Sequence, residues 1–246
     1  MNLVSIAIAF CAIAVGSLVK GITGLGLPVV AVPVLSYFLN LPHAVGVLII
    51  PILVTNALQA YQTRHAVRNV PFLWPMLLLG VPGLAGGTWV LTVVAAEKLN
   101  LGLGLMLFFY IGLRVFSPQF SIKPKPALRL SPFVGLAAGF VQGAAGLCAA
   151  VFVPFVHAMK LEREAMLFTV SMVFLVFAMV QAVSLTVAGL FQPVYFVEGL
   201  LALIPVALFM PLGSWLGKRL SRQVFDRVFL VVLALIGAGL IETALR

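Results

Sequence analysis

Long apolar runs, each closed by Pro, Gly or charge, fill this chain almost end to end. They fall at about 3–19, 25–40, 43–63, 70–94 and 97–116, then at 131–141, 145–159, 165–189, 193–217 and 223–245. A membrane span needs about 20 apolar residues. The pattern therefore predicts an all-α polytopic membrane protein with about 8–10 transmembrane segments, leaving no room for a soluble domain. Segment 131–141 is too short to span as a straight helix, and 145–159 is marginal. Each half is expected to open either with a broken, re-entrant Gly-rich hairpin or with two full crossings, and both alternatives leave the other loops on the same sides.

The longest polar stretch, Ser117 to Arg129, divides the chain near its midpoint, and Pro118, Pro124 and Pro126 within it are expected to forbid a continuous helix. The organisation predicted is a first transmembrane repeat at 1–117, a cytoplasmic linker at 118–130 and a second repeat at 131–246. Internal similarity supports it. Lys20-Gly21-Ile22-Thr23-Gly24-Leu25-Gly26 aligns with Gln142-Gly143-Ala144-Ala145-Gly146-Leu147-Cys148 at a shift of 122 residues, and both are followed by Val-Pro, at Val32-Pro33 and Val153-Pro154. Towards the end of each half, Pro82-Gly83-x-x-x-Gly87 pairs with Pro211-x-Gly213-x-x-x-Gly217.

Composition agrees with the pattern: 63% of residues are hydrophobic, 9% are charged and mean hydropathy is +1.22. The net charge of +9 would point to nucleic acid in a soluble protein. Here the basic residues flank apolar runs and set orientation instead. With ten crossings, thirteen of the fifteen Lys and Arg fall on one side, leaving Lys98 and Arg246 on the other. Both termini are expected to be periplasmic. Five segments per half is an odd number, so the two repeats enter the membrane from opposite sides and are inverted, as in many secondary transporters. The first run has no basic stretch before it and reads as a retained helix rather than a cleaved signal. Cys11 and Cys148 lie in apolar surroundings and read as small core residues.

The glycine clusters are the strongest local signal. Gly21 and Gly24, with Gly143 and Gly146, allow the backbone to unwind and a ligand to approach. Breaks at membrane depth are tolerated where they line a cavity or are buried in protein. Helices that restart after such breaks aim N–H groups at an anion, whereas the alternative role for these glycines is close helix packing. Lys20, beside Thr23 and the first break, reads as either a buried substrate ligand or a cytoplasmic anchor that snorkels. Gln142 is its repeat counterpart. Asn56 and Gln59 share one helix face, and Gln181 sits at similar depth in the second half; each reads as a substrate contact or as interhelical glue. The substrate-binding set expected is thus Lys20, Gly21, Thr23, Gly24, Asn56, Gln59, Gln142, Gly143, Gly146 and Gln181. Glu198 is the one acid that falls within a span, either as a proton carrier or at the outer interface. His43, His65 and His157 lie near segment ends without metal-ligand spacing. No buried nucleophile and base, or His and Glu cluster, supports an intramembrane enzyme. No catalytic residue, metal or cofactor is expected.

Val19 to Leu35, reading V-K-G-I-T-G-L-G-L-P-V-V-A-V-P-V-L, resembles the opening motif of the sulfite exporter TauE/SafE family, also called the toluene sulfonate uptake permease superfamily. Gly139 to Leu147 and Gly213 to Leu220, followed by Phe225, Arg227 and a terminal apolar helix, resemble its later blocks. The resemblance implies secondary transport of a small sulfur oxoanion or sulfonate across a bacterial inner membrane. A small carboxylate carrier or an anion channel is the alternative. The partners implied are the anion, the lipid bilayer and a coupling ion, proton or sodium, with the chain as monomer or homodimer and no nucleic acid. One departure stands out: relatives often read Gly-x-Gly-Gly in the second block, where this chain has Gly146-Leu147-Cys148-Ala149.

The charge count makes the orientation testable. Single cysteines replacing Lys125 and Arg222, in a background lacking Cys11 and Cys148, are expected to resist impermeant thiol reagents added outside intact cells. Labelling of both from the periplasm would reverse the topology.

Overall fold

The computed structural model describes residues 3–24, 26–116, 121–217, 219, 230–231, 234–235, 237–242 and 244. Residues 117–120 of the expected linker and most of the expected segment 223–245, Arg222 and Arg227 with it, lie outside the described residues. No strand occurs among the described residues. The first half contains α1 (Leu3–Thr23), α2 (Leu27–Phe38), α3 (Leu41–Gln62), a 3-10 helix at Arg64–Asn69, α4 (Leu73–Val93) and α5 (Ala96–Phe116). The second contains α6 (Pro124–Ala145), α7 (Ala149–Ala158), α8 (Arg163–Val187), α9 (Pro193–Leu201) and α10 (Leu203–Leu216). Each half thus opens with a long helix, a break, a short helix and a further long helix. Among the described residues α3, α4, α8 and the stretch Pro193–Leu216 are long and apolar enough to cross a membrane, and the chain is a multi-pass membrane protein.

Helix α6 corrects two expectations. It begins at Pro124, inside the stretch assigned to a linker at 118–130, so residues 124–130 are helix. The prolines do not prevent it, because the first turn of a helix has no intrahelical acceptors for its N–H groups and tolerates their absence. Its 22 residues measure about 33 Å, comparable to the hydrocarbon thickness, so this segment is not short. The short elements are instead α2, of 12 residues and about 18 Å, and α7, of 10 residues and about 15 Å.

The compact units cut across the sequence halves. Unit 1 comprises Met1–Pro51, Val94–Ile111 and Phe191–Arg246; unit 2 comprises Ile52–Val93 and Gly112–Leu190. In unit 2 the core is the pair α4 and α6. A Cβ added at Gly135 would strike the Met76 backbone, one at Gly139 the Gly80 backbone, and one at Gly143 the backbone of Leu84, Gly87 and Thr88. The opposing Gly83 and Gly87 face the Leu136 and Phe140 carbonyls in the same way. Contacts advance together along both helices, so they run parallel, backbone on backbone. Gly-x-x-x-Gly spacing permits this approach, and in lipid such packing supplies much of the association energy. Phe177 of α8 closes over Gly80.

Unit 1 repeats the device with α1 and α10. Gly21 meets Met210, Gly213 and Ser214; Gly213 meets the Leu18 carbonyl, and Gly217 meets Ile22. The first helix of each half therefore packs against the third long element of the other half. These contacts make Gly213 the counterpart of Gly87, and Ser214 that of Thr88, one turn away from the Gly83 and Gly213 alignment expected from the Pro-Gly motifs. Residue 104 of α5 similarly meets Gly237 and Ile241 in the terminal segment.

Because Gly139 has helix backbone directly against it, Gly139→Leu is expected to cost at least about 3 kcal/mol, read as lost yield and a lower Tm of the detergent-purified protein. Gly102, which has open space around it, should accept Ala without loss. Equal losses at both positions would refute a ladder of packing glycines.

Candidate functional site

The sequence at each break explains its shape. Gly24 adopts φ +75° and Gly146 φ +70°, left-handed values that L side chains resist. Each closes the long helix before it: the Gly24 N–H donates to the Lys20 carbonyl at 2.7 Å, and the Gly146 N–H donates to the Gln142 carbonyl at 2.8 Å. The motif G-x-x-G thus holds two jobs. Its second glycine turns the chain, while its first, Gly21 or Gly143, sits inside a helix with another helix's backbone against it. Close packing accounts for Gly21 and Gly143, the alternative role that the sequence left open for them.

After the turns the copies diverge. Gly26 takes φ +113° and caps α2, where its Cβ-less position clears Val19. The counterpart Cys148 is buried in right-handed backbone with φ −54°. The second copy therefore has a helical residue where the first has a left-handed glycine, and α7 starts as a tightened turn with Ala150 N–H donating to the Leu147 carbonyl at 3.2 Å. The Gln142 Oε1 accepts the Cys148 N–H at 3.3 Å. At the first break no side chain caps α2, and Pro28 lies in its first turn.

Lys20 occupies the last turn of α1 and is 1% exposed. An anchor that snorkels to the surface would show its ammonium, so that alternative does not describe this lysine. The Thr23 hydroxyl donates to the Val19 carbonyl at 2.9 Å. Lys20, Gly21, Thr23 and Gly24 all belong to unit 1, while Asn56, Gln59, Gln142, Gly143, Gly146 and Gln181 belong to unit 2.

Within unit 2 the polar side chains are buried in an otherwise apolar interior. Asn56 donates through Nδ2 to the Ile52 carbonyl at 2.7 Å, one turn back on its own helix. Gln181 is 1% exposed, and among the described residues neither its Nε2 nor its Oε1 has a partner; the Gln59 Oε1 and Thr88 Oγ1 are also buried without one there. Buried polar atoms are nearly always satisfied, and each one left open costs about 1–3 kcal/mol. Thr88 escaped the sequence reading. It follows Gly87 directly and stands beside Gly143, so a polar residue adjoining a packing glycine was the available signal. Histidines and acids likewise look unrelated in sequence, yet His43 pairs with Glu198, and His65 with Glu164, each at 2.5 Å.

The strained turn yields a prediction. Gly24→Ala is expected to lower stability by about 1–2 kcal/mol, and Gly24→Asn by less, because Asn visits the left-handed region more readily. Denaturation midpoints that rank Ala at or above Asn would contradict a left-handed turn at residue 24.

Compared with family models, residues 8–240 match that of the sulfite exporter TauE/SafE family. No curated protein and no solved structure matches the chain.

Proposed function

This chain belongs to the sulfite exporter TauE/SafE family, and on that premise we propose that it is a secondary transporter that moves a small organic sulfonate or sulfur oxoanion across the bacterial inner membrane by alternating access. Sulfite, sulfoacetate and toluene sulfonate exemplify the substrate class. The observation that carries the reading is Lys20: a cationic side chain 1% exposed, in the last turn of a membrane helix, four residues before a left-handed glycine that leads into a short helix.

The chemistry fits an oxoanion. A lysine ammonium is a compact charge with three rotatable donors, and α2 adds the partial positive charge of its N-terminus after Gly26. Broken helices whose half-helix ends meet substrate recur in secondary transporters. Thr23 and Gly24 belong to the same turn as Lys20. Unit 2 carries a polar set of its own: Gln181, Gln59, Asn56 and Gln142 supply neutral donors and acceptors, with Gln142 in the lysine's repeat position and Gly146 turning the chain beside it. The amide of Gln181, without a partner among the described residues, favours a polar occupant in that unit, since such an atom gains a bond only from something that enters. Gly21 and Gly143 each bring helices close within their own unit rather than touching substrate.

Thermal unfolding with sulfite, sulfonates and small carboxylates tests the reading, because a ligand bound only by the folded state raises Tm by mass action. Lys20→Ala is expected to weaken sulfur-anion binding by on the order of 2 kcal/mol, as for one charge-assisted hydrogen bond in a dry site. Lys20→Arg should also bind poorly, since a planar fork does not replace a compact ammonium. Native affinity in Lys20→Ala would remove the lysine from the site, and stabilisation by carboxylates alone would change the substrate class.

A further inference from the structure

Unit 1 holds a second polar centre that the anion site does not use. The first turn of α3 carries His43, and its Nε2 lies 2.5 Å from the Glu198 Oε2 of α9, with side chains 14% and 20% exposed. Tyr195, one turn before Glu198, stacks on the imidazole with ring centroids 4.4 Å apart. Gly46 makes room for that ring, since a Cβ there would press on Tyr195. Glu198 lines a cavity of about 290 Å³ whose other walls are apolar: Phe10 and Ile13 from α1, Leu35 from α2, Leu39 just after it, and Pro205 from α10 among them. Among the described residues, His43 is the titratable group paired with Glu198 and Tyr195 stacks on His43, while the residues that α1, α2 and α10 contribute to the cavity wall are apolar.

The placement recurs in the other unit. Glu164, in the first turn of α8, pairs with His65 in the 3-10 helix that precedes α4. Both pairs thus join the start of the third helix of one half to the entry of the fourth element of the other half, with acid and imidazole exchanged. The unit 2 pair is 59% and 64% exposed, where a surface ion pair contributes little. The unit 1 pair is far less exposed, its Glu198 lines the apolar cavity, and Glu198 is the sole acid in Pro193–Leu216, a helical stretch apolar enough to span. Ionisable groups so placed serve ion pathways and proton relays.

We propose that His43 and Glu198 form the proton-binding site that couples transport to a proton gradient, a reading that rests on the transporter function proposed above. Loading adds one proton between the imidazole Nε2 and the carboxylate, converting an anionic pair to a neutral one; release returns that proton to water on the other side. No other bond forms or breaks, and nothing is oxidised. Neutralisation lowers the cost of moving the pair through an apolar environment, which ties the proton to the helix movement that carries the anion.

Reconstituted vesicles separate coupling from carriage. Sulfite counterflow at equal pH needs no net proton movement, whereas accumulation under an imposed pH gradient does. Glu198→Gln and His43→Gln should keep counterflow and lose gradient-driven accumulation, while His65→Gln keeps both. Gradient-driven accumulation undiminished in Glu198→Gln would overturn the proposal. Difference infrared spectroscopy reads the site without any substrate: a titrating carboxyl band should vanish in Glu198→Gln and shift in His43→Gln. If the native protein shows no counterflow of sulfite or any sulfonate, the transport reading fails, and the band alone decides: its presence upholds a proton site and its absence removes one.

Discussion

The contact on which the structure depends is helix backbone against helix backbone. Lipid tails are as apolar as leucine, so burying apolar side chains gives little reason for one helix to prefer another over lipid. What remains is close approach, and glycines at 135, 139 and 143 permit it in unit 2 as Gly21 and Gly213 do in unit 1. That approach fixes the position of both breaks. Gly143 and Gly21 lie three residues before the turning glycines, so the tightest packing sits one turn from where each long helix ends. A turn anchored this way can hold a strained backbone conformation, because the neighbouring helix removes the freedom to relax it.

Much of the architecture was legible because apolar runs and their punctuation are local. Nine of the ten runs correspond to described helices or helix pairs, all but 131–141 with ends a few residues away, and the positions matched at a shift of 122 make like turns, Gly24 N–H to the Lys20 carbonyl and Gly146 N–H to the Gln142 carbonyl. The start of α6 was misread because proline is a breaker inside a helix and a neutral residue in its first turn, and only hydrogen bonding distinguishes the two. The glycine roles were not separable either. Gly21 and Gly24 look alike as letters, yet one is defined by a helix nearly 190 residues away and the other by its own φ. Pairing of His43 with Glu198 spans 155 residues and leaves no trace in local spacing. Lys20 was legible as a charged residue beside a break; its burial was not, since that depends on what covers it.

The two breaks share a left-handed glycine and differ in the residues around it. Gln142 uses its side chain to satisfy the Cys148 N–H, so the second break is closed by its own residues. The first has a cation at the same position and a second left-handed glycine, Gly26, instead of Cys148. The two turns thus differ in chemistry, one with a charge beside it and the other with an amide. The two His and Glu pairs differ likewise, one largely buried and the other at the surface.

The exchange of helices between halves also dictates an order of assembly. Unit 2 has its α4 and α6 core once α6 is made, and its last residue is Leu190. Unit 1 cannot close then, because the partner of α1 is α10, about 180 residues further along the chain. At synthesis rates of about 5–20 residues per second, α1 waits roughly ten to forty seconds for the surface that its glycine was shaped to meet. Throughout that interval the earliest helix, which carries a lysine in its last turn, has α2 beside it but not the helix that its glycine meets. The ribosome finishes the second unit's paired helices before the first's, so the oldest segment of the chain completes its native contacts late.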